Sequence, residues 1–374
     1  GAPVHPIGFT RAVIERELGG PIDELFTAFD TEPVASGSVA QVYRAEYNGE
    51  PVAVKVRHPG VEEQIRDDFV LLSALVSLVS GFERLKWLNL EESLQQFSHT
   101  MADQVMLDAE ARHLTRFIHL FWGRRGVSFP VPKYPLVTPS VLVESFEFAS
   151  SVTSSINADI DPIVKKYIVR QGTQIYLQML LADNFMHADL HPGNILLRSE
   201  SMPPQLVLVD AGMVAQLVKD EQENFIGLFQ AIGAGNGEQA AGHLLNFTKE
   251  QTCSDRESFV KDMEELFRRR CRGYHTGVDI GEVVRGCLNV VREHRVRVDA
   301  NYATLLVNVL CIEGLGRQLM PEYNILDAAR PMLEAHRLLG TRALAYMMPL
   351  WSLYAAAVDQ LLWWEHCLWK RVHI

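Results

Sequence analysis

Apolar residues recur at helical spacing near the start of the chain: Val13, Ile14 and Leu18, then Ile22, Leu25, Phe26 and Phe29. Gly19-Gly20-Pro21 stops one run and starts the next, which predicts two short helices within residues 10–30. The period then changes. Residues 39–47 alternate apolar and polar, Asn48-Gly49-Glu50 reads as a turn, and residues 52–56 (Val-Ala-Val-Lys-Val) read as a second strand of a hairpin. Helical spacing returns over residues 61–78 (Ile65, Phe69, Leu72, Leu75, Val76) and along a longer helix over roughly 90–117. Residues 127–134 lead to a strand at 137–143, the Ser/Thr/Asn-rich stretch 151–158 suits a linker, and an apolar helix is expected over 163–181. After residue 210 the pattern is helical throughout: 221–232, 237–247, 255–270, 281–294, 302–315 and 325–336.

The last apolar stretch, 343–358, is uncharged but carries Pro349 and falls short of the roughly 20 residues that cross a bilayer. An interfacial or buried helix is expected, and Trp363, Trp364 and Trp369 beside Lys370 and Arg371 suit a membrane surface. Four segments follow from the pattern: an N-terminal helical segment (1–30), a small β-containing unit (31–146), a helical unit (147–336) and an apolar helical tail (337–374). The fold class expected is α+β.

With 374 residues, 48% of them hydrophobic, the chain can bury a large core. A net charge of -11 argues against nucleic acid as a partner, because phosphate neutralisation needs a basic surface. Five scattered cysteines without a close pair favour reduced thiols over a disulfide framework or a zinc site. The run Arg268-Arg-Arg-Cys-Arg272 reads as a solvated helix end. The chain opens at Gly1-Ala-Pro3 without a methionine or a visible targeting segment, as a processed or truncated product would.

The chemistry concentrates in His187-Ala-Asp-Leu-His-Pro-Gly-Asn194 and in Asp210-Ala-Gly212, where Asp210 closes the apolar run 206–209. Asp189, Asn194 and Asp210 have the order a kinase-type centre needs: a carboxylate that orients or deprotonates the attacking hydroxyl or water, then two oxygen ligands for Mg2+. His187 and His191, two apart on a loop, suit structural hydrogen bonding rather than metal ligation. Lys55, held by a valine-rich strand beside Ala53, is placed to meet nucleotide phosphates. Upstream, Ala35, Ser36, Gly37, Ser38 and Val39 form a small-residue loop that lets backbone N–H groups approach a ligand. A glutamate should pair with Lys55, but spacing alone does not choose Glu110 over Asp103 or Asp108. Residues 141–146, ending in Glu144-Ser145-Phe146, lie where a two-lobed kinase-like fold places the hinge whose backbone pairs with adenine.

These motifs resemble those of the UbiB/aarF-domain family of atypical protein-kinase-like proteins, and within it the mitochondrial aarF-domain-containing kinase 2 subgroup. His187 to Asn194 with Asp210-Ala-Gly212 replaces the H-R-D and D-F-G of ordinary protein kinases, and residues 33–42 resemble the family's alanine-rich loop. Ile312-Glu-Gly-Leu-Gly-Arg-Gln-Leu-Met-Pro321, leading to Ala328-Ala-Arg-Pro331, is similar to its C-terminal signature. The resemblance spans about residues 10–335 and assigns the lysine's partner to Glu110. It implies a two-lobed kinase-like fold, ATP with Mg2+ as cofactors, and ATPase activity more than protein phosphorylation. It also implies a role in ubiquinone (coenzyme Q) biosynthesis and lipid metabolism at the mitochondrial inner membrane, with a lipid or quinone-precursor ligand and protein partners of a lipid-biosynthetic complex.

The chain departs from the family pattern in three places. It has no K-x-G-Q motif, Gln104 and Met106 stand where an acidic pair is expected, and Gly37 should loosen the loop relative to an all-alanine version. The covering extension and its autoinhibitory contacts are therefore not expected here. Two other readings fit the motifs less well: a nucleotide-responsive scaffold without turnover, and a small-molecule phosphotransferase of the aminoglycoside- or choline-kinase type.

Overall fold

The structure is a computed structural model. It describes residues 4–372 except 81–89, 92–93, 96–97, 99–100, 102–103, 158–159, 200–202 and 249–250. Asp103 therefore lies outside the described residues, as do the side chains of Trp363, Trp364, Trp369, Lys370 and Arg371.

In chain order the elements are α1 (Ile7–Leu18), α2 (Ile22–Leu25), β1 (Ala28–Phe29), β2 (Ala35–Ser36), β3 (Ala40–Tyr47), β4 (Glu50–Arg57), α3 (Val61–Ser80), α4 (Leu107–Leu120), β5 (Val127–Ser128), β6 (Pro132–Val137), β7 (Val141–Ser145), β8 (Ser150–Ser151), α5 (Val152–Asn157) and α6 (Pro162–Gln178). There follow a π turn (Met179–Asp183), β9 (Met186–His187), a 3-10 turn (Pro192–Asn194), β10 (Ile195–Arg198), β11 (Gln205–Leu208) and β12 (Val214–Ala215). The helices α7 (Lys219–Ala234), α8 (Gly237–Leu245), α9 (Arg256–Arg270), α10 (Ile280–Glu293), α11 (Ala300–Leu319) and α12 (Ile325–Val372) complete the chain. Contacts divide it into one unit of residues 1–122, 128–149 and 207–213, and a second of 123–127, 150–206 and 214–374.

The first unit is built on an antiparallel sheet of order β1-β3-β4-β7-β6, with β2 added on β3. Asn48 and Gly49 both have positive φ (53° and 78°), the geometry of the tight turn that matches strand twist, so β3 and β4 pair without slippage from Ala40↔Arg57 to Tyr47↔Glu50. Successive side chains of a strand point to opposite faces. Val52, Val54 and Val56 join Val141 and Val143 in a core closed by Val13 and Ile14 of α1 and by Ile22 and Phe26. Burial of such side chains stabilises by roughly 1.5–3 kcal/mol each. The opposite face carries Ala53 and Lys55, paired with Glu144 and Leu142 of β7, so a lysine and a glutamate share the buried side of the sheet.

Three sequence expectations need correction in this unit. The helix over 90–117 breaks at residues 105–106: Arg57 donates to the Val105 carbonyl at 3.3 Å and Leu107 N–H to the Pro139 carbonyl at 3.1 Å, so tertiary hydrogen bonds interrupt the helical ladder. The strand over 137–143 is instead two strands, because Thr138 accepts from the N–H groups of Ser140 and Val141 and folds the Thr-Pro-Ser stretch into a turn. Phe26 and Phe29 lie past α2, and Phe29 belongs to β1.

The second unit is mostly helical. Its helices start where short polar residues cap them: Asp161 on Ile163, Asn236 on Gln239, Asp255 on Ser258 and Asp279 on Glu282, each accepting the backbone N–H. The Ser/Thr/Asn-rich segment is not a linker but β8, paired with β10, followed by α5. Arg268 and Arg269 reach back to Glu265, and Arg270 lies 3.6 Å from Glu282, which makes the basic run a charge-paired helix end. The two expected helices at 325–336 and 343–358 are merged in α12 across a bend at Gly340 (φ 73°). One face of its second half buries Leu344, Met348 and Ala355, while Tyr346, Leu350, Leu353 and Tyr354 are exposed. Among the described residues, no helix is long and apolar enough to cross a membrane.

The C-terminal signature also acquires a physical role. Glu313 accepts the Gly281 N–H and hydrogen-bonds Asp279, and Arg317 meets Asp279 at 2.6 Å. A Cβ on Gly281 would collide with the Glu313 carboxylate. Gly281→Ala should therefore cost about 1–3 kcal/mol of stability, the usual penalty of overpacking, read as an earlier urea midpoint with an unchanged slope.

Candidate active site

In the first unit Lys55 is nearly inaccessible and is shared by two carboxylates. Its Nζ lies 2.6 Å from Glu110 Oε1 and 3.1 Å from Glu144 Oε1. Glu110 is buried because it sits in the apolar stripe of α4, between Leu107, Ala111, Leu114 and Phe117. Asp210, held at a positive φ of 58°, adds a third negative charge to the lysine's surroundings. Burial alone would push the Lys55 ammonium down, but Glu110, Glu144 and Asp210 outweigh it and hold it above the usual lysine range. Glu110 is itself raised, by burial and by Asp210, with Lys55 opposing.

Glu144 was expected at a hinge, contributing backbone groups. The structure turns its side chain to Lys55 instead, and its second oxygen is buried without a hydrogen-bond partner. Burial, opposed by Lys55 and reinforced by Glu110, pushes its pKa up to about 7. A carboxyl whose pKa rises on folding keeps its proton in the native state while the unfolded chain loses it. Stability should therefore fall as pH rises from about 4.5 to about 7. Glu313, also raised to about 7, adds the same sign. The difference between the parent and Glu144→Gln isolates Glu144: urea unfolding at pH 5 and pH 7.5 should show a smaller loss in the variant, and equal losses would refute the assignment.

The loop at Asp210 is clasped by α4. Glu110 accepts the Ala211 N–H, and His113, one turn further on, lies with Nδ1 at 2.9 Å from the Ala211 carbonyl oxygen, to which it donates. Sequence reasoning missed His113, although its i,i+3 spacing from Glu110 places it on the same face of α4. At the other expected hinge residue, Phe146 donates its N–H to the Pro51 carbonyl at 3.1 Å. Its ring and that of Phe148 lie 5.3 Å from the Arg44 guanidinium.

The small-residue loop begins as β2, with Ala35 and Ser36 paired to Val42 and Gln41. It then turns through a 3.0 Å bond from Gly37 N–H to the Ala40 carbonyl, while the Val39 carbonyl accepts the His58 N–H at 2.9 Å. A Cβ on Gly37 would meet the Ala40 oxygen at an ordinary 3.7 Å, so the loop does not require glycine there for space.

In the second unit, Asp189 and Asn194 lie on a loop closed by its own polar groups. Asn194 donates from Nδ2 to the Asp189 carbonyl at 3.0 Å. His191 Nδ1 accepts the Gly193 N–H at 3.0 Å, and His187 Nδ1 accepts the Asp189 N–H at 3.3 Å. Both histidines thus make structural hydrogen bonds, and pairing of His187 with Val214 ties the loop to β12. The Asp189 side chain is half exposed. Beside it opens a cavity of about 330 Å³, walled by Leu190 and by the Ala303, Thr304, Val307 and Cys311 face of α11. No pattern in the sequence marks that cavity, because it depends on where α11 packs. By their chemistry alone, the amide oxygen of Asn194 and the carboxylate of Asp210 are each a hard donor of the kind Mg2+ takes, one or two from a protein with phosphate and water completing its shell.

Comparison with known proteins shows the family and the fold. Residues 2–244 match the ABC1 atypical kinase-like domain. The chain is 34% identical, over 88% of its length, to a probable serine/threonine-protein kinase of Dictyostelium discoideum, abkC. It is 29% identical, over 88% of its length, to a mitochondrial ABC1 family protein of Schizosaccharomyces pombe. A probable protein kinase UbiB of Marinobacter nauticus is 28% identical over 89% of the chain. The chain spans 58%, 58% and 61% of those three proteins, less than two thirds of each. A Mycobacterium tuberculosis protein solved in complex with erythromycin has the same fold, with a TM-score of 0.59 at 18% identity, covering 88% of this chain and 83% of that one.

Proposed function

Because the chain belongs to the ABC1 atypical kinase-like family, we propose that it is a UbiB-type ATP-dependent enzyme that hydrolyses or transfers the terminal phosphate of ATP in the presence of Mg2+. The observation that carries this reading is the buried ion pair of Lys55 and Glu110 at 2.6 Å, with Asp210 charging the same surroundings. In this reading Lys55 pairs the α- and β-phosphates, oriented by Glu110, and residues 35–39 cover them. Ala53 lies under the adenine, with Glu144 and Phe146 bordering it. Asn194 and Asp210 are the metal ligands, and bound Mg2+ supplies neutralisation of the phosphate charge. Asp189 orients, and accepts a proton from, the attacking hydroxyl or water.

The biological role belongs to the same proposal. Ubiquinone biosynthesis is supported by the UbiB relatives, and a mitochondrial setting by the Schizosaccharomyces pombe relative. Attachment to the inner membrane, a lipid or quinone-precursor ligand and partners in a lipid-biosynthetic complex rest on the family resemblance. The exposed Tyr346, Leu350, Leu353 and Tyr354 of α12 support contact with a membrane surface. A second reading, a nucleotide-responsive scaffold, is favoured by Glu144, whose hold on Lys55 competes with phosphate. The test is Mg2+-dependent ATP hydrolysis by the purified chain, with and without anionic vesicles and a phenolic quinone-precursor mimic. Turnover stimulated by either addition supports the enzyme, binding without turnover supports the scaffold, and no binding removes both.

A further inference from the structure

A file of hydrogen bonds within the first unit runs from strand β3 through α1 to the small-residue loop. Gln41 Nε2 donates to the Tyr43 hydroxyl at 2.7 Å, which lies 2.8 Å from Thr10 Oγ1. Thr10 Oγ1 is 3.0 Å from His5 Nε2, His5 Nδ1 is 2.9 Å from His58 Nδ1, and His58 Nε2 is 3.0 Å from the Gly37 carbonyl oxygen. A carbonyl can only accept, so His58 must carry its proton on Nε2. With the ring neutral its Nδ1 is the acceptor, and His5 then donates from Nδ1 and accepts at Nε2. Thr10 therefore donates to His5, Tyr43 to Thr10 and Gln41 to Tyr43, while Gln41 Oε1 accepts the His5 backbone N–H. Each of these bonds has a single consistent direction when both rings are neutral. His5, Thr10, Gln41 and Tyr43 are all buried. Burial, aided by His58, lowers His5 to about 4, which keeps the His5 ring neutral at physiological pH.

The geometry points to His58, backed by His5, as a positioning residue that fixes the Gly37–Ser38 peptide plane of the phosphate-covering loop. A trans peptide places its N–H opposite its C=O. Holding the Gly37 oxygen on His58 therefore turns the Ser38 N–H away from His58 and stops the carbonyl from swinging round to face an anion. This rests on the reading of residues 35–39 as a nucleotide loop. It assigns α1, outside the expected catalytic unit, a part in binding.

The experiment uses the full chain with a fluorescent ATP analogue and Mg2+, and compares the parent with His58→Ala and His58→Gln. Glutamine keeps one donor for Gly37 and one acceptor for His5. His58→Ala should weaken nucleotide binding about tenfold, equivalent to about 1.4 kcal/mol, and His58→Gln should restore most of it. Amide exchange at residues 37–40, measured without nucleotide, should be faster in His58→Ala than in the parent. Parent-like binding and exchange in His58→Ala, or a His58→Gln as weak as His58→Ala, would overturn the proposal. A parent that binds no nucleotide would remove the reading of the site, and the exchange comparison would still decide whether His58 locks the peptide.

Discussion

Lys55→Met should both abolish Mg2+-ATP binding and unfold the chain more readily than any other single change at the site. Lys55 is flanked by Glu110, Glu144 and Asp210, the two glutamates in direct contact with it, and it is their one cationic partner among the described residues. Removing it leaves buried carboxylates facing one another, and losing one partner of a buried pair costs about 3–5 kcal/mol. The penalty is electrostatic, so it should shrink as the carboxylates take up protons. Urea denaturation of Lys55→Met should show most of the deficit at pH 7.5 and little of it at pH 5. The double variant Lys55→Met/Glu144→Gln should recover part of it at pH 7.5, and the non-additivity measures the coupling. A deficit independent of pH would mean that lost packing, and not uncompensated charge, explains the loss.

Asp210→Asn should have the reverse profile. It relieves repulsion within the same cluster, so the urea midpoint should stay level or rise. Turnover should fall by about 10²–10³-fold, because a carboxylate ligand that helps the metal neutralise phosphate charge is worth several kcal/mol in the transition state. Hydrolysis of ATP, with an exposed-surface variant such as Lys219→Ala as control, is the measurement. If Asp210→Asn hydrolyses ATP like the parent, any activity arises elsewhere and the assignment of Asp210 fails. If both outcomes hold, the pair of variants separates two uses of charge at one place: Lys55 for the fold and for binding, Asp210 for chemistry at some cost to the fold.

Much of this site was legible because its signals are local. The Asn48-Gly49 turn fixed the hairpin register, and that register with alternation placed Lys55 on the face opposite Val54. The spacing of Asp189, Asn194 and Asp210 needed no knowledge of packing, and Asp255 and Asp279 mark helix starts through bonds to residues only three positions on. What stayed hidden depends on pairings far apart in the chain. The side-chain direction of Glu144 follows from β7 lying beside β4, and the role of His113 from where residue 211 returns to α4. His5 and His58 are 53 positions apart, and neither carries a motif. The helix break at residues 105–106 has the same origin, since a partner on the Thr138–Ser140 turn replaces a helical one. The separation expected between 325–336 and 343–358 erred in the other direction, since α12 continues past Gly340 with a bend.

The grip of Glu110 and His113 on the backbone N–H and C=O of Ala211, one in each of its flanking peptide groups, has a mechanical consequence. Glu110 also holds Lys55, so strand lysine, helix and loop are linked as one crank and not as three independent parts. A loop that swings outward while α4 stays in place must break two hydrogen bonds together, at about 1 kcal/mol each. The inexpensive motion is instead a rotation of α4 that carries the loop and releases the lysine in the same stroke. Small molecules that select a displaced loop should therefore be poor ligands for this chain, and those that wedge α4 away from β4 should act on all three parts at once.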